Sequence, residues 1–286
     1  MKKFIKAIAL ALTAVVCFAV AGCGAKKDEV KVLKTIYLTE ESYAFAINKN
    51  DTALKESVDE IINEMKEDGS LNTLIDSYFN GTSTFTYQNK TNTPQAGDFI
   101  MATNAYFPPF EYYQGDKFTG VDVEIASIIA TKLNKTLFVK DMEFDSIIPE
   151  VQNGTGVIGM AGMTVTEKRL TQVNFAESYY TSAQVVTVQK GDTTFDNCTT
   201  AADVEAVLAK QNSKYKVGTQ KGTTGYMYSA GDEDFEYDGF KNLTTKSYDT
   251  GALAITDLSN GKINAVILDL QPSLMISDSI NNNFKK

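Results

Sequence analysis

From residue 99 to residue 280 the chain alternates short apolar, β-branched runs with segments whose apolar residues recur at helical spacing. No other feature restricts the fold as much. Residues 99–103, 136–139 and 157–161 read as strands; Val121, Ile125, Ile128, Ile129 and Leu133 mark a helix between the first two, and residues 145–151 form the next. The pattern then repeats: Thr200 caps a helix through Leu208, 215–219 is a strand, 253–258 is helical, 263–268 is a strand and 272–280 a last helix. Strands alternating with helices in this way predict a parallel sheet covered on both faces, an α/β fold. Residues 182–189, apolar and β-branched, are long enough to leave one lobe and reach another.

Within this frame residues 157–169, VIGMAGMTVTEKR, concentrate the chemistry. Val157, Ile158 and Met160 form a short apolar run that ends in the small residues Gly159, Ala161 and Gly162; Thr164 follows, and Thr166 is a good N-cap for a helix beginning at Glu167. A buried strand thus leads to exposed backbone and a helix start, whose unpaired N–H groups seat an anion. Arg169 falls in that first turn and is the only arginine of the chain. A planar guanidinium grips a carboxylate through two parallel hydrogen bonds, whereas lysine is a point charge. The pattern points to a carboxylate clamp; the alternative is a chance arginine in a lysine-biased composition.

Residues 1–22 read as a signal peptide rather than as fold. Lys2, Lys3 and Lys6 precede an apolar run too short for a membrane span, and it closes on Val20-Ala21-Gly22-Cys23. This resembles a bacterial lipobox, in which Cys23 becomes the lipidated first residue, with 23–29 a tether to the membrane surface; the rival is an uncleaved anchor. Removing the leader takes away three lysines and no acids, moving the net charge from −9 to −12. An acidic body without a basic patch argues against nucleic acid as a partner. With Cys17 in the leader and Cys23 lipidated, Cys198 is left alone, so no internal disulfide forms. There is no histidine, which excludes histidine-based acid–base catalysis and argues against a typical zinc site.

Ahead of the alternating region, residues 30–38 and 43–47 are β-prone runs around a polar Thr39-Glu40-Glu41-Ser42 turn. Leu54, Val58, Ile61, Ile62 and Met65 then share a helical face that Gly69 ends, and Ser70 can cap a second helix with Leu71, Leu74, Ile75, Tyr78 and Phe79 on its apolar face. Residues 82–98, rich in Thr, Asn, Gln, Gly and Pro, read as a linker.

The motifs FPPFEYY, GVDVEIASIIATKLN, FDSIIPEV, GMAGMTVTEKR, VNFAESYY and VGTQKGTTG together resemble extracellular solute-binding proteins of family 3, the polar-amino-acid receptors of ABC importers. The resemblance implies a two-lobe periplasmic-binding-protein type II fold closing on its ligand, with no cofactor, no metal and no catalysis. Its order is unusual. The segment that closes the fold in relatives stands here at 40–79, before the first lobe, and the 17 residues after Asp269 carry no second copy, which implies a circular permutation. Lobe 1 is then 43–81 with 99–185, lobe 2 is 30–42 with 186–286, and 82–98 is the permutation linker, able to span up to roughly 55 Å. The duller alternative is a helical extension on a truncated domain.

Carried over residue by residue, the resemblance places a ligand carboxylate on Arg169 and on the backbone N–H groups of Thr164 and Thr224. It places the α-ammonium on Asp269, with the Gly162 carbonyl and the Thr164 hydroxyl; read without it, Asp269 is equally an ordinary strand-end or capping aspartate. Phe107 and Phe144 align with residues that sandwich the ligand side chain, although core packing explains either. Asn104 and Gln220 align with side-chain readers, and Ala161 offers backbone alone. Asn104 stands where receptors for cationic amino acids often carry an acid, which points to an uncharged polar amino acid. The implied partners are that free amino acid, an ABC permease and the membrane through lipid on Cys23, at the outer face of the cytoplasmic membrane. The alternatives are a dehydratase-like enzyme on the same scaffold and a surface sensor or adhesin.

Overall fold

The computed structural model describes residues 27–233 and 237–284, so the expected leader and the lipid site at Cys23 lie outside the described residues. Two crossings organise the chain. It starts in one sheet as β1 (Val30–Val32), passes through β2 (Glu41–Tyr43) and enters a second sheet as β3 (Ala46–Ile47). That lobe continues through α1 (Thr52–Glu67), α2 (Ser70–Phe79), β4 (Phe99–Thr103) and a small meander of β5 (Tyr106–Phe107), β6 (Glu111–Gln114) and β7 (Lys117–Thr119). It is completed by α3 (Val121–Lys132), β8 (Leu137–Asp141), α4 (Ile147–Asn153), β9 (Val157–Gly159), α5 (Glu167–Gln172) and β10 (Asn174–Phe175). β11 (Tyr180–Ser182) returns beside β2. The other lobe is then built from β12 (Gln184–Gln189), α6 (Ala201–Ala209), β13 (Lys216–Gln220), α7 (Thr224–Ala230), β14 (Thr244–Tyr248), α8 (Gly251–Ser259), β15 (Ala265–Asp269) and α9 (Leu270–Asn282).

Both lobes follow one plan. The first sheet has the order β10-β3-β9-β4-β8 and the second β1-β12-β15-β13-β14. In each, three strands run parallel: β9, β4 and β8 in one, β15, β13 and β14 in the other. The two remaining strands of each sheet, β3 with β10 and β12 with β1, are antiparallel to their neighbours. The expected parallel sheet is therefore corrected to a mixed one, because segments arriving from the opposite lobe run against the strands they meet. β12 already pairs with β15 from Gln184, two residues before the expected lobe boundary.

Local chemistry explains most elements. The Asp51 side chain accepts from the Leu54 N–H at the start of α1, whose Leu54, Val58, Ile61, Ile62 and Met65 are all buried. Gly69, with φ of 78°, turns the chain into α2; Ser70 is the first helical residue rather than the cap, and its N–H is held by Asp68. A reciprocal Thr200–Asp203 capping box opens α6. Of the run 30–38, only the first three residues pair as a strand. The run 43–47 splits into β2 and β3 because the chain changes partners there: Ala44 N–H donates to the Met163 carbonyl and Ala176 N–H to that of Phe45. The meander β5–β7 and the polar edge strand β14 carried no apolar alternation to announce them.

Residues 82–98 are strapped to lobe 1 rather than looped away from it. Asn89 donates to the Val139 carbonyl and accepts from the Val139 N–H, both at 2.8 Å, and the Tyr87 hydroxyl donates to the Leu137 carbonyl. Tyr87 also pairs with Phe118 through main-chain bonds, and Thr119 Oγ1 donates to the Phe85 carbonyl at 2.6 Å. The strap covers part of the open edge of β8, which would otherwise invite pairing with another chain. Asn89→Ala removes both bonds to Val139 and should cost about 1–3 kcal/mol, lowering the midpoint of thermal denaturation followed by circular dichroism.

Candidate functional site

Ligands of open α/β sheets bind outside the carboxyl ends of the parallel strands, and here those ends from both lobes converge. Asn104 follows β4, Ala161, Gly162 and Thr164 follow β9, Gln220 ends β13 and Asp269 ends β15; all line one enclosed cavity together with Phe107, Phe144, Arg169 and Thr224. Every residue singled out in the sequence as a ligand contact is therefore brought to a single place. Glu111 and Thr223 complete the lining. The cavity measures about 10 Å³, room for about one water, so anything the size of an amino acid enters only when the lobes part.

Arg169 is placed by its helix. Thr166 caps α5 by accepting from the Arg169 N–H at 3.2 Å, and the side chain, 4 % exposed, points back into the cleft. Nη1 donates to the Thr164 carbonyl at 2.6 Å and Nη2 to the Gly222 carbonyl of the opposite lobe at 3.0 Å. The guanidinium lies 5.4 Å from the centre of the Phe144 ring, a cation–π contact. Burial lowers its pKa to about 10, opposed by the charges of Glu41 and Asp269, so it is cationic at neutral pH. Gly162 (φ +52°) makes room nearby: a Cβ there would lie 2.8 Å from Cε1 of Phe107.

Two carboxylates face this cation. Asp269, 3 % exposed, accepts from the Tyr43 hydroxyl, and burial followed by repulsion from Glu41 raises its pKa to about 7. Glu41, equally buried, projects from the hinge strand β2 and accepts from Thr164 Oγ1 at 2.6 Å and Thr224 Oγ1 at 2.8 Å. At the other end of the cavity Gln220 Nε2 donates across the lobes to Asn104 Oδ1 at 3.0 Å, and Asn104 Nδ2 donates to the Met142 carbonyl. Gln220 Oε1 has no donor. Glu111, fully buried at the lining, faces fully buried Asp122; burial and then Asp122 push the Glu111 pKa well up. Asp122 accepts from the Gly162 N–H at 2.9 Å, and burial raises it to about 7.

This geometry, one buried cation and two carboxylates at the meeting of two lobes, frames the comparisons with known proteins. Residues 99–228 match the family described as bacterial extracellular solute-binding proteins, family 3. A solved structure of the substrate binding protein of an amino acid ABC transporter is 31 % identical, with a TM-score of 0.50 over 60 % of this chain and 70 % of that one. The chain belongs to this family. The arginine-binding extracellular protein ArtP of Bacillus subtilis is 38 % identical over 32 % of this chain and 36 % of its own length. An arginine-binding periplasmic protein of Mannheimia haemolytica is 32 % identical over 62 % and 65 %. The chain thus spans between about one-third and two-thirds of the lengths of these curated relatives.

In this family member two further ties cross the mouth of the cleft: Lys221 with Asp145 at 2.7 Å and Lys168 with Asp232 at 3.4 Å. Such exposed pairs contribute at most about 1 kcal/mol each. Sequence reasoning missed Glu41, Tyr43, Glu111, Thr223 and Gln184. Glu41 lay in a segment read as a polar turn; β2 buries Glu41 and Tyr43 and exposes Ser42, an alternation that the polar pair Glu41-Ser42 does not announce in the sequence.

The Glu111–Asp122 pair has a pH signature. Both groups are raised above their unfolded values, so the folded chain binds more protons than the unfolded chain above pH ~4.5. Their contribution to stability is present in full below that pH and is lost as pH rises toward and through about 7, the value of Asp122. Glu111→Gln keeps the shape and removes one proton site. Melting midpoints taken from pH 5 to pH 8 should therefore fall less steeply in this variant than in the wild type.

Proposed function

We propose that this protein captures a free α-amino acid between its lobes and passes it to an ABC permease, held at the membrane by lipid on Cys23. The observation that carries this is the placement of Arg169 from one lobe and Asp269 from the other on a single closed cavity. A zwitterion bridges such a pair: Arg169 takes the carboxylate and Asp269 the ammonium, each charged hydrogen bond contributing about 1.5–3 kcal/mol. A ligand that touches both lobes stabilises the closed form, because it loses half its partners when they part.

The far end of the cavity favours a side chain that donates hydrogen bonds. Gln220 Oε1 lacks a donor, Phe107 and Phe144 supply apolar walls, and Asp269 with Glu41 beside it opposes the single cation. Guanidinium, imidazole and carboxamide side chains fit this lining; acidic ones do not. The relatives named for arginine support the cationic choice, against the uncharged one that Asn104 favours by itself.

The permuted order belongs to the same reading. β2 and β3 enter lobe 1 from upstream, and α9 finishes beside β1, where Asn281 donates to the Val30 carbonyl and accepts from its N–H, each at 2.9 Å. A last helix held against the first described strand is the arrangement a permutation requires.

Arginine, histidine and glutamine should each raise the melting temperature, since a ligand stabilises the state it binds, while aspartate and glutamate should leave it unchanged. Failure of every free amino acid to shift the transition would overturn the proposal. Arg169→Lys should weaken binding of whichever ligand responds by about 100-fold, measured by calorimetry, with the fold retained.

A further inference from the structure

We infer that Glu41 is a specificity-determining residue: it turns two threonine hydroxyls, one from each lobe, into acceptors and thereby makes the cleft demand an α-ammonium. The inference rests on the amino-acid reading and deepens it.

Four donors converge on this one carboxylate. Oε2 accepts from Thr164 Oγ1 at 2.6 Å, Thr224 Oγ1 at 2.8 Å and Gln184 Nε2 at 3.4 Å, and Oε1 accepts from Thr39 Oγ1 at 2.9 Å. Thr164 belongs to the loop after β9 in lobe 1; Thr224 opens α7 and Gln184 opens β12 in lobe 2. Glu41 itself sits on neither lobe but on the hinge strand, opposite Ser182 of β11. It is 3 % exposed, so these bonds are made away from water.

A hydroxyl has one hydrogen and two lone pairs. Because Thr164 and Thr224 both spend their hydrogens on Glu41, they offer only lone pairs to the cavity they line, two on Thr164 and one on Thr224, whose other lone pair accepts from Gln184 Nε2 at 3.1 Å. Asp269 adds a further acceptor to the same lining, its Oδ1 held by Tyr43. An ammonium, with three N–H donors and no lone pair, satisfies this array. A hydroxyl in its place brings one donor and leaves buried acceptors unpaired. Sites built around hydrogen bonds reject analogues that cannot complete them far more strongly than apolar pockets reject a missing methylene. The two threonines come from opposite lobes, so the array is assembled only on closure, and discrimination is exercised at that step.

The substitution Glu41→Leu tests this with the full-length chain. Leucine is close in size and accepts no hydrogen bond, so both threonine hydrogens are released from Oε2 and can turn toward the cavity. L-Arginine and L-glutamine, each beside its 2-hydroxy analogue, would be titrated by calorimetry into the wild type, Glu41→Leu and Glu41→Gln. In the leucine variant the amino-acid affinity should fall by about tenfold or more while the 2-hydroxy acid binds no worse. The preference for the amino acid therefore shrinks, and Glu41→Gln, whose carbonyl oxygen can stand where Oε2 stood and hold both threonine hydrogens, should recover part of it. Unchanged circular dichroism and melting behaviour would separate this from misfolding. Equal weakening of both ligand classes, an unchanged preference, or tighter amino-acid binding would each overturn the role of Glu41 while leaving the amino-acid reading intact. A wild type that binds none of the four ligands, and that no other free amino acid stabilises in the thermal screen, would remove that reading and this inference together.

Discussion

A single buried guanidinium holds this structure's two halves in one account. Arg169 donates to its own lobe at Thr164 and to the other at Gly222. A cation taken out of water is costly unless charges and acceptors surround it, and here Glu41, Asp269 and the Phe144 face do so. The demands of that site reach back into the sequence. β9 must end in small residues so that the chain can turn beneath Phe107, Thr166 must cap α5 so that Arg169 leaves its first turn toward the cleft, and the hinge must carry Gly222 within reach.

The acids around Arg169 are arranged by depth. Glu111 and Asp122 are fully buried with both pKa values raised, which lowers the charge carried there, and Asp122 pins the Gly162 amide. Asp269 and Glu41 lie at the front, close enough to raise the Asp269 pKa to about 7. Two buried carboxylates this close repel each other, as the raised Asp269 pKa shows. In the proposed function a zwitterionic ligand would relieve that repulsion at its ammonium and take over the Arg169 valences at its carboxylate. Closure and recognition would then depend on the same contacts, to which the exposed pairs at the mouth add little.

Much of this was legible beforehand because it depends on local pattern. Thr166, three residues before Arg169, is a cap by type and position, and β15 reads as a buried strand ending in an acid. The family motifs then supplied what no spacing could, the pairing of Arg169 with Asp269 across the lobes. Three kinds of feature stayed hidden. The sense of β3 and β12 depends on which lobe the chain comes from, not on their side chains. The strap at 82–98 works through Asn89 and Tyr87 against main-chain atoms of β8 and leaves no apolar signature. Glu41 looked like turn polarity because its partners, Thr164, Thr224 and Gln184, lie 123, 183 and 143 residues away.

The clamp itself is tested most directly by a double-mutant cycle on ligand affinity, with Arg169→Lys, Asp269→Asn and the two combined, each titrated with L-arginine and L-glutamine. If a ligand must be held at both ends for the lobes to close on it, removing the second group adds little once the first is gone. The two losses then fall well short of additive. Fully additive losses, or no loss from either change, would mean that these charges do not act together on one ligand and would contradict the clamp.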